Sequence, residues 1–544
     1  MDSQYSRDSL DKTQQVDDGY ENNHNGGLSP PDFSSVTIKH YLKTRFTELI
    51  PTVEEIKSKR HLVNPFPPLK NMTWKQWSFF GVSFWSWTLD SFDYFAVSLN
   101  VSNLSKTFDV STADITWGIT LVLMLRSVGA IIFGVLSDRY GRKWPLISNL
   151  ILLSILQIAT GFVNTYKQFL GVRSLFGIAM GGLYGNVAAT ALEDAPSDAR
   201  GILSGLLQEG YAFGYLLAVV FQRALADTTS KGWRSMFWFS AGVTLIFIVW
   251  RMLLPETNTY KRQKALSEKS GSASKIFIQQ AKSSIKIYWL ICIYLVILMA
   301  GFNFMSHGSQ DLYPTLLDVQ LGFSTDASTV TNSVANLGAF TGGIFIGYIS
   351  EFIGRRLSII ICCILGGAMI YPWAFLTGSG INAGCFFLQF MVQGAWGVIP
   401  IHLSELAPAH FRSFIVGTSY QLGNLCSSAS STIEATIGER FPLYDSNGNK
   451  ENGVYNYAKV MSIFMGCVFA FVLLVALFGP ENKGANIAMD TIIDKDFKND
   501  EEAQLDEEKE QTEYEELVYN NEEGDEVDEC ESNESQVGKA VQLN

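Results

Sequence analysis

The chain has 544 residues and no cysteine pair at disulfide or zinc spacing. Cys292, Cys362, Cys363, Cys385, Cys426 and Cys467 lie within or beside apolar runs, and Cys530 sits in an acidic tail. A disulfide scaffold is excluded, and packing is left as their role. The first 70 residues lack an apolar core segment, so no cleavable signal peptide is expected and the first span must itself serve as the insertion signal. There is no phosphate-binding Gly-rich loop, no metal-ligand cluster and no nucleophile elbow, so an enzyme finds no support. No cofactor or metal is expected. The net charge of −13 belongs to one segment: residues 485–544 hold 21 acidic residues and four lysines, which leaves the rest at +4. That tail cannot bury enough apolar surface to fold, and its acidity implies no nucleic-acid binding.

What is present is a succession of long apolar runs between polar ends. A bilayer-spanning helix needs about 20 apolar residues. The runs at 77–99, 115–136, 146–163, 169–192, 202–221, 235–254, 287–305, 328–349, 357–376, 383–403, 413–432 and 459–478 predict twelve. The expectation is an all-α polytopic membrane protein in a lipid bilayer. Its expected parts are a disordered tail over 1–70, a first six-helix half over 71–255, a basic central loop over 256–286, a second half over 287–484 and the acidic tail. Loops on the side of the termini carry 15 lysines and arginines against 7 opposite. The positive-inside rule therefore places both termini in the cytoplasm. The sequons at Asn100 and Asn103 then face outward but close to the membrane, and glycosylation is not expected there.

The chain repeats itself. Gly134 to Lys143, between spans two and three, returns as Gly347 to Arg356 between spans eight and nine, 213 residues later. Glu193-Asp-Ala-Pro196 with Arg200 returns as Glu405-Leu-Ala-Pro408 with Arg412, and Gly182 and Gly185 return as Gly394 and Gly397. Two parallel six-helix halves of this kind mark transporters that rock around a midplane site. The segment Gly134–Lys143 resembles the loop signature of the major facilitator superfamily, with Glu351 for the usual aspartate in the second copy. Arg173-Ser-Leu-Phe-Gly177 is similar to a second signature of that superfamily. The resemblance covers 71–484 and implies alternating access, with Asp138, Arg142, Glu351 and Arg355 as a cytoplasmic gate tying the halves together. It also implies a monomer.

Charges at mid-membrane cost about 2.5–3.5 kcal/mol on insertion scales and need a reason. Asp90 and Asp93 in span one share a helical face, and low dielectric with a second carboxylate nearby favours reversible proton binding. The competing role is structural pairing or capping. Arg126 in span two offers a planar fork to a carboxylate, either a substrate's or that of Asp90 or Asp93. Arg173 reads as structural or coupling, and Glu209 as structural, paired to a neighbour. Glu193 and Glu405 read as loop packing. Gln421 and Asn424 in span eleven suit either substrate hydrogen bonding or helix adhesion.

The densest polar stretch is Asn303 to Thr315, where Gly308 and Pro314 make an unbroken helix doubtful. Asn303, Ser306, His307, Gln310 and Asp311 recur at three and four spacing along one stripe. This segment resembles the signature of the fungal Jen carboxylate–proton symporters, met at Asn303, Ser306, His307, Ser309, Gln310, Asp311 and Thr315. The Asp90–Asp93 pair is similar to that of related organic-acid symporters. The resemblance implies uptake of short carboxylates with protons across the plasma membrane. Lactate, pyruvate and acetate are preferred because Arg126 alone suits one carboxylate. Succinate or malate is the alternative, with Arg173, His307 or Lys286 holding a second. Substrate contacts fall to Arg126, Asn303, Ser306, His307, Gln310, Gln421 and Asn424. The proton, as co-substrate, falls to Asp90, Asp93, Asp311 or His307. A nutrient sensor on the same scaffold is a further alternative, motivated by the long tails. Kinase or ubiquitin-ligase machinery acting on the tails is weighed equally against plain solvated disorder.

Overall fold

The computed structural model describes residues 33–483, apart from 48, 59–63, 65, 111, 227, 270–272, 409–410, 439 and 445–449. The acidic tail, with Cys530, lies outside the described residues. Ten helices among the described residues are long and apolar enough to cross a bilayer. They are Trp117–Tyr140, Lys143–Phe162, Tyr166–Leu192, Ser197–Ala226, Arg234–Leu253, Tyr288–Thr315, Asp326–Ile353, Arg355–Phe375, Gly380–Leu406 and Tyr457–Phe478, which are spans two to ten and span twelve, with Tyr288–Thr315 as span seven. The other two are helical but less apolar. Span one, Trp74–Ser98, carries Asp90 and Asp93 on a largely buried helix. Span eleven comes in two pieces, Arg412–Ser427 and Ser430–Gly438. Both pack against other spans, so neither needs an all-apolar surface.

Local chemistry sets the ends. Thr73 and Gln76 form a reciprocal capping box that starts span one. The repeat is visible in the backbone: Gly141 and Gly354, at the same place in the two loop signatures, have φ of 98° and 99°, a region that favours glycine. The halves meet where spans two and four pack on span eleven and where span five packs on spans eight and ten. Asn100 is fully buried and donates to Ala96 O at 2.9 Å, which leaves no room for a glycan there.

Three segments differ from expectation. Within the expected disordered tail, Ser35–Thr47, Val53–Ser58 and Phe66–Lys70 are helical. Tyr41 and Arg45 donate to the carbonyls of Phe478 and Gly479 at 2.8 Å each, so the first of these helices satisfies carbonyls that the end of span twelve leaves free. The expected central loop contains a helix, Asn258–Lys269, and the next one runs unbroken over 38 residues from Ala273 to Gln310. Gly308 does not interrupt it, because its missing side chain makes room for the Phe464 ring. The break falls after Gln310, and Pro314 sits in the first turn of Tyr313–Thr315, where its absent N–H costs nothing. A small antiparallel pair, Pro442–Tyr444 with Lys450–Tyr455, precedes span twelve. The six cysteines from Cys292 to Cys467 are free thiols.

Candidate functional site

The loop signatures build two buried ion clusters at one end of the bundle, the signature end. In the first half Arg142 pairs with Asp138 at 3.2 Å and with Glu193 at 2.7 Å. Burial disfavours the Arg142 charge, but Glu193 and Asp138 outweigh it and hold its pKa above the ordinary arginine range. In the second half Arg355 pairs with Glu351 at 2.8 Å and Glu405 at 3.0 Å. These pairs lie within each half, contrary to the expectation that the signature arginines tie the halves together. Asp138 makes the tie instead. Its two oxygens accept from the backbone N–H groups of Ser413 and Phe414, at 3.2 and 2.8 Å. Those are first-turn donors of span eleven, which carry no intrahelical partner and favour a negative charge. Arg412 adds a second crossing, to Glu193 at 3.5 Å. Glu193 and Glu405, read from sequence as loop packing, are thus members of the two ion clusters.

Toward the middle of the bundle the pattern changes. Arg126 is 2% exposed and forms no ion pair among the described residues; its terminal nitrogen donates to the Met180 sulfur, and its Nε has no partner there. The Tyr94 ring lies 5.3 Å below the guanidinium. Asp90 is buried with both oxygens unpartnered among the described residues, and Arg126, Asp93 and Arg173 are within its electrostatic reach. The two carboxylates of the Asp90–Asp93 pair meet different hydrogen-bonding surroundings. Asp93 instead accepts from the Ser240 hydroxyl of span six. Arg173 lies 4.0 Å from the Phe176 ring, with Nε and one terminal nitrogen unpartnered among the described residues.

Across from Arg126, His307 meets Asp311 at 3.1 Å, and Asn424 also reaches the imidazole. Both members are partly open, at 19% and 39% side-chain exposure. Asn424 donates to the Gln421 carbonyl oxygen at 3.0 Å, which leaves the Gln421 amide nitrogen without a partner among the described residues. The expected stripe divides. Asn303 turns back to the Met299 carbonyl at 2.8 Å, and Gln310 donates to Gln389 of span ten at 3.1 Å. Gln389 in turn donates to Ser309 at 3.2 Å, and the Ser306 carbonyl accepts from Ser309 at 3.0 Å. His307 lies within electrostatic reach of Arg126, and Asp311 within that of Tyr94 and Tyr211. Below this space Tyr184 and Tyr420 stack across the halves at 4.0 Å, flanked by Trp87 and Trp396.

Two further acids were misread or missed. Glu209, expected to be paired, has no partner among the described residues for either oxygen. Glu434 is fully buried and equally unpartnered there, with Asp311 in electrostatic reach. It lies two residues beyond the expected end of span eleven, and the short second piece of that span brings it in. Among the described residues no group of three or more His, Cys, Asp or Glu is placed to hold a metal ion.

Residues 68–491 match the family model described as sugar (and other) transporter. The chain belongs to this transporter family. It is 44% identical over 470 residues to a carboxylic acid transporter protein homolog of Saccharomyces cerevisiae, covering 83% of this chain and 75% of that one, which bears out the resemblance to the Jen family within the major facilitator superfamily. It is 26% identical to a probable 4-methylmuconolactone transporter of Cupriavidus pinatubonensis, covering 76% of this chain and 93% of that one. Among solved structures, a double-tryptophan mutant of XylE matches with a TM-score of 0.59 at 18% identity, over 76% of this chain and 98% of that one. The human organic anion transporter MFSD10 matches at 0.54 and 14% identity, over 74% and 99%. These two show the fold. The family member is a multi-pass membrane transporter and not an enzyme.

Proposed function

We propose that this protein is a proton-coupled symporter that imports short monocarboxylates such as lactate, pyruvate and acetate across the plasma membrane. Its termini and signature end face the cytoplasm. The observation that carries the reading is the Arg126 guanidinium: buried, central, and without a carboxylate of its own among the described residues. A buried cation is strongly disfavoured without a counter-charge, and a substrate carboxylate matches its fork. The similarity to the yeast carboxylic acid transporter homolog supports this choice of anion.

In this reading Gln421 and Asn424 orient the substrate from the other half, with His307 at the rim. Ser306 lies on the same turn, and Asn303 and Gln310 brace span seven from behind. Asp90 carries the proton, because its carboxylate faces Arg126 and lacks any donor among the described residues. Asp93, Asp311 and His307 tune it through the field. Neutralising Asp90 removes a negative charge that opposes a substrate carboxylate at Arg126, so proton and anion bind together before the halves rock. With the signature end tied shut and His307 and Asp311 partly open, the arrangement is an outward-facing one. The transporter works as a monomer, with no cofactor beyond the proton.

A second reading is dicarboxylate transport. It is favoured by Arg173, whose unpartnered nitrogens lie within electrostatic reach of Arg126. The test is radiolabelled uptake in cells that lack their own carboxylate permeases, comparing lactate with succinate at acidic and neutral outside pH, with and without an uncoupler. Saturable lactate uptake that collapses with uncoupler is the expected result. Succinate uptake that lactate fails to compete selects the second reading. No uptake of either, with the protein at the surface, overturns both and leaves the nutrient sensor.

A further inference from the structure

Glu209 lies on the face of span five that meets the other half of the molecule. One turn earlier, Gly205 packs directly on the Gly343 carbonyl of span eight, and Gly397 of span ten packs on the same carbonyl. Ser204 locks this crossing by donating to the Gly397 carbonyl at 2.8 Å and accepting from the Ile401 N–H at 3.0 Å. Just beyond the crossing the Glu209 carboxylate presses on Gly343, so that a Cβ at residue 343 would collide with it. Glu209 is 1% exposed, and neither oxygen has a hydrogen-bond partner among the described residues.

The charged and titratable residues on the elements around it are Lys75, Asp90, Asp93 and Tyr94 on span one, Asp326, Tyr348 and Glu351 on span eight, Cys385, His402 and Glu405 on span ten, and Asp198, Arg200, Tyr211, Tyr215 and Arg223 on its own span. Among the described residues none of them hydrogen-bonds or ion-pairs with the Glu209 carboxylate, which is buried. Asp90 differs in having Arg126 in reach, and Glu434 in having Asp311. An ionised carboxylate sealed between two glycine-lined helices has neither water nor a counter-ion, and that state is strongly disfavoured. Once spans five and eight part, the same carboxylate meets water and ionises freely.

We propose that Glu209 is a proton-binding site of the inter-half seam. Its carboxylate takes one proton from water as spans five and eight close, and returns that proton to water as they part. The proton is exchanged on the side to which the seam opens and is separate from the one carried with the substrate. The sealed form therefore holds one more proton than the parted form, and acid on that side favours sealing. The site acts on the rocking equilibrium and does not depend on which anion is carried.

The test is hydrogen–deuterium exchange of the full-length protein in lipid, followed in peptides covering 201–210 and 340–350 at about pH 5.5 and about pH 7.5, after correction for intrinsic exchange rates. One linked proton changes the sealed-to-parted ratio by up to about tenfold per pH unit. Protection of both segments in the wild type is expected to fall as pH rises. Glu209→Gln, a neutral stand-in for the protonated acid, is expected to stay protected at both pH values. Its thermal midpoint is expected at or above that of the wild type, which shows that it folds. Asp90→Asn, which removes the substrate-linked proton, is expected to retain a fall in protection with rising pH that Glu209 supplies and that the Asp90→Asn/Glu209→Gln double variant loses. A pH response in Glu209→Gln as large as that of the wild type overturns the proposal, and so does wild-type protection that does not change with pH. Neither outcome touches the uptake experiment, so the seam and the symport reading fail separately.

Discussion

The signature end and the centre of the bundle hold the same residue types in opposite states. At the signature end Arg142 and Arg355 each meet two carboxylates within 3.2 Å. In the centre, Arg126 and Asp90 lie within mutual reach and yet carry unpartnered atoms among the described residues. Both regions are buried, so burial does not separate them. Pairing does. Charges that are satisfied within one half stabilise that half and leave Asp138 and Arg412 to make the reversible crossing. In the proposed function, the charges left incomplete in the centre are those that a substrate carboxylate and a proton complete.

The largest effect is expected at the signature end. Arg142→Ala strips Glu193 and Asp138 of their shared cation. Breaking a buried pair from one side costs about 3–5 kcal/mol. A much lower thermal midpoint and poor surface expression are expected, and near-normal stability would dissolve the contrast between the regions. Arg126→Ala is the central counterpart. It leaves no carboxylate stripped of an ion pair, so expression and melting should stay close to normal. Losing a charge-assisted fork of about 3 kcal/mol should weaken apparent substrate affinity about 100-fold. Arg126→Lys should recover only part of this, because a point charge does not reproduce the fork. Wild-type affinity in Arg126→Ala would remove the anchor assignment.

Between the two lies Ser240→Ala. Asp93 accepts from this hydroxyl, and removing a donor from a buried carboxylate costs about 1–3 kcal/mol. A fall in thermal stability with transport affinity little changed would place Asp93 with the paired, structural charges. A changed proton dependence of uptake with unchanged stability would move it to the centre, beside Asp90.

The fold was legible because hydropathy, the 213-residue repeat and the charge of the loops all point to one answer. Two equivalent glycines with φ near 98° carry the repeat into the backbone. The site was legible only as a set of residue types. Spacing of three placed Asp90 and Asp93 on one face, but a neighbouring helix decides what each carboxylate meets, and Ser240 takes only one of them. Arg412 was readable as the repeat mate of Arg200, yet its partner Glu193 lies in the other half and no local pattern announces that. Glu434 escaped because span eleven breaks at Ser428 and resumes, which a single hydropathy window does not register. The helix Ser35–Thr47 escaped because its docking on the end of span twelve, and not an apolar stripe, gives it a place.

The smallest expected effect tests the division of the span-seven signature. His307 and Asp311 open toward the central space, whereas Gln310 and Ser309 hold Gln389 of span ten. If Gln310 braces the helix from behind, Gln310→Ala should cost about 1 kcal/mol of stability and change affinity by less than about tenfold. Gln389→Ala should do the same, and the double variant should show a coupling of about 0.5–1 kcal/mol between them. His307→Ala should instead act on uptake and its pH profile, because the imidazole faces Asp311 and Asn424 and not span ten. An affinity loss in Gln310→Ala as large as that in His307→Ala, without coupling to Gln389, would return Gln310 to the substrate. The incomplete region would then extend along the whole signature, and the line between satisfied and waiting polar groups would run between spans seven and ten.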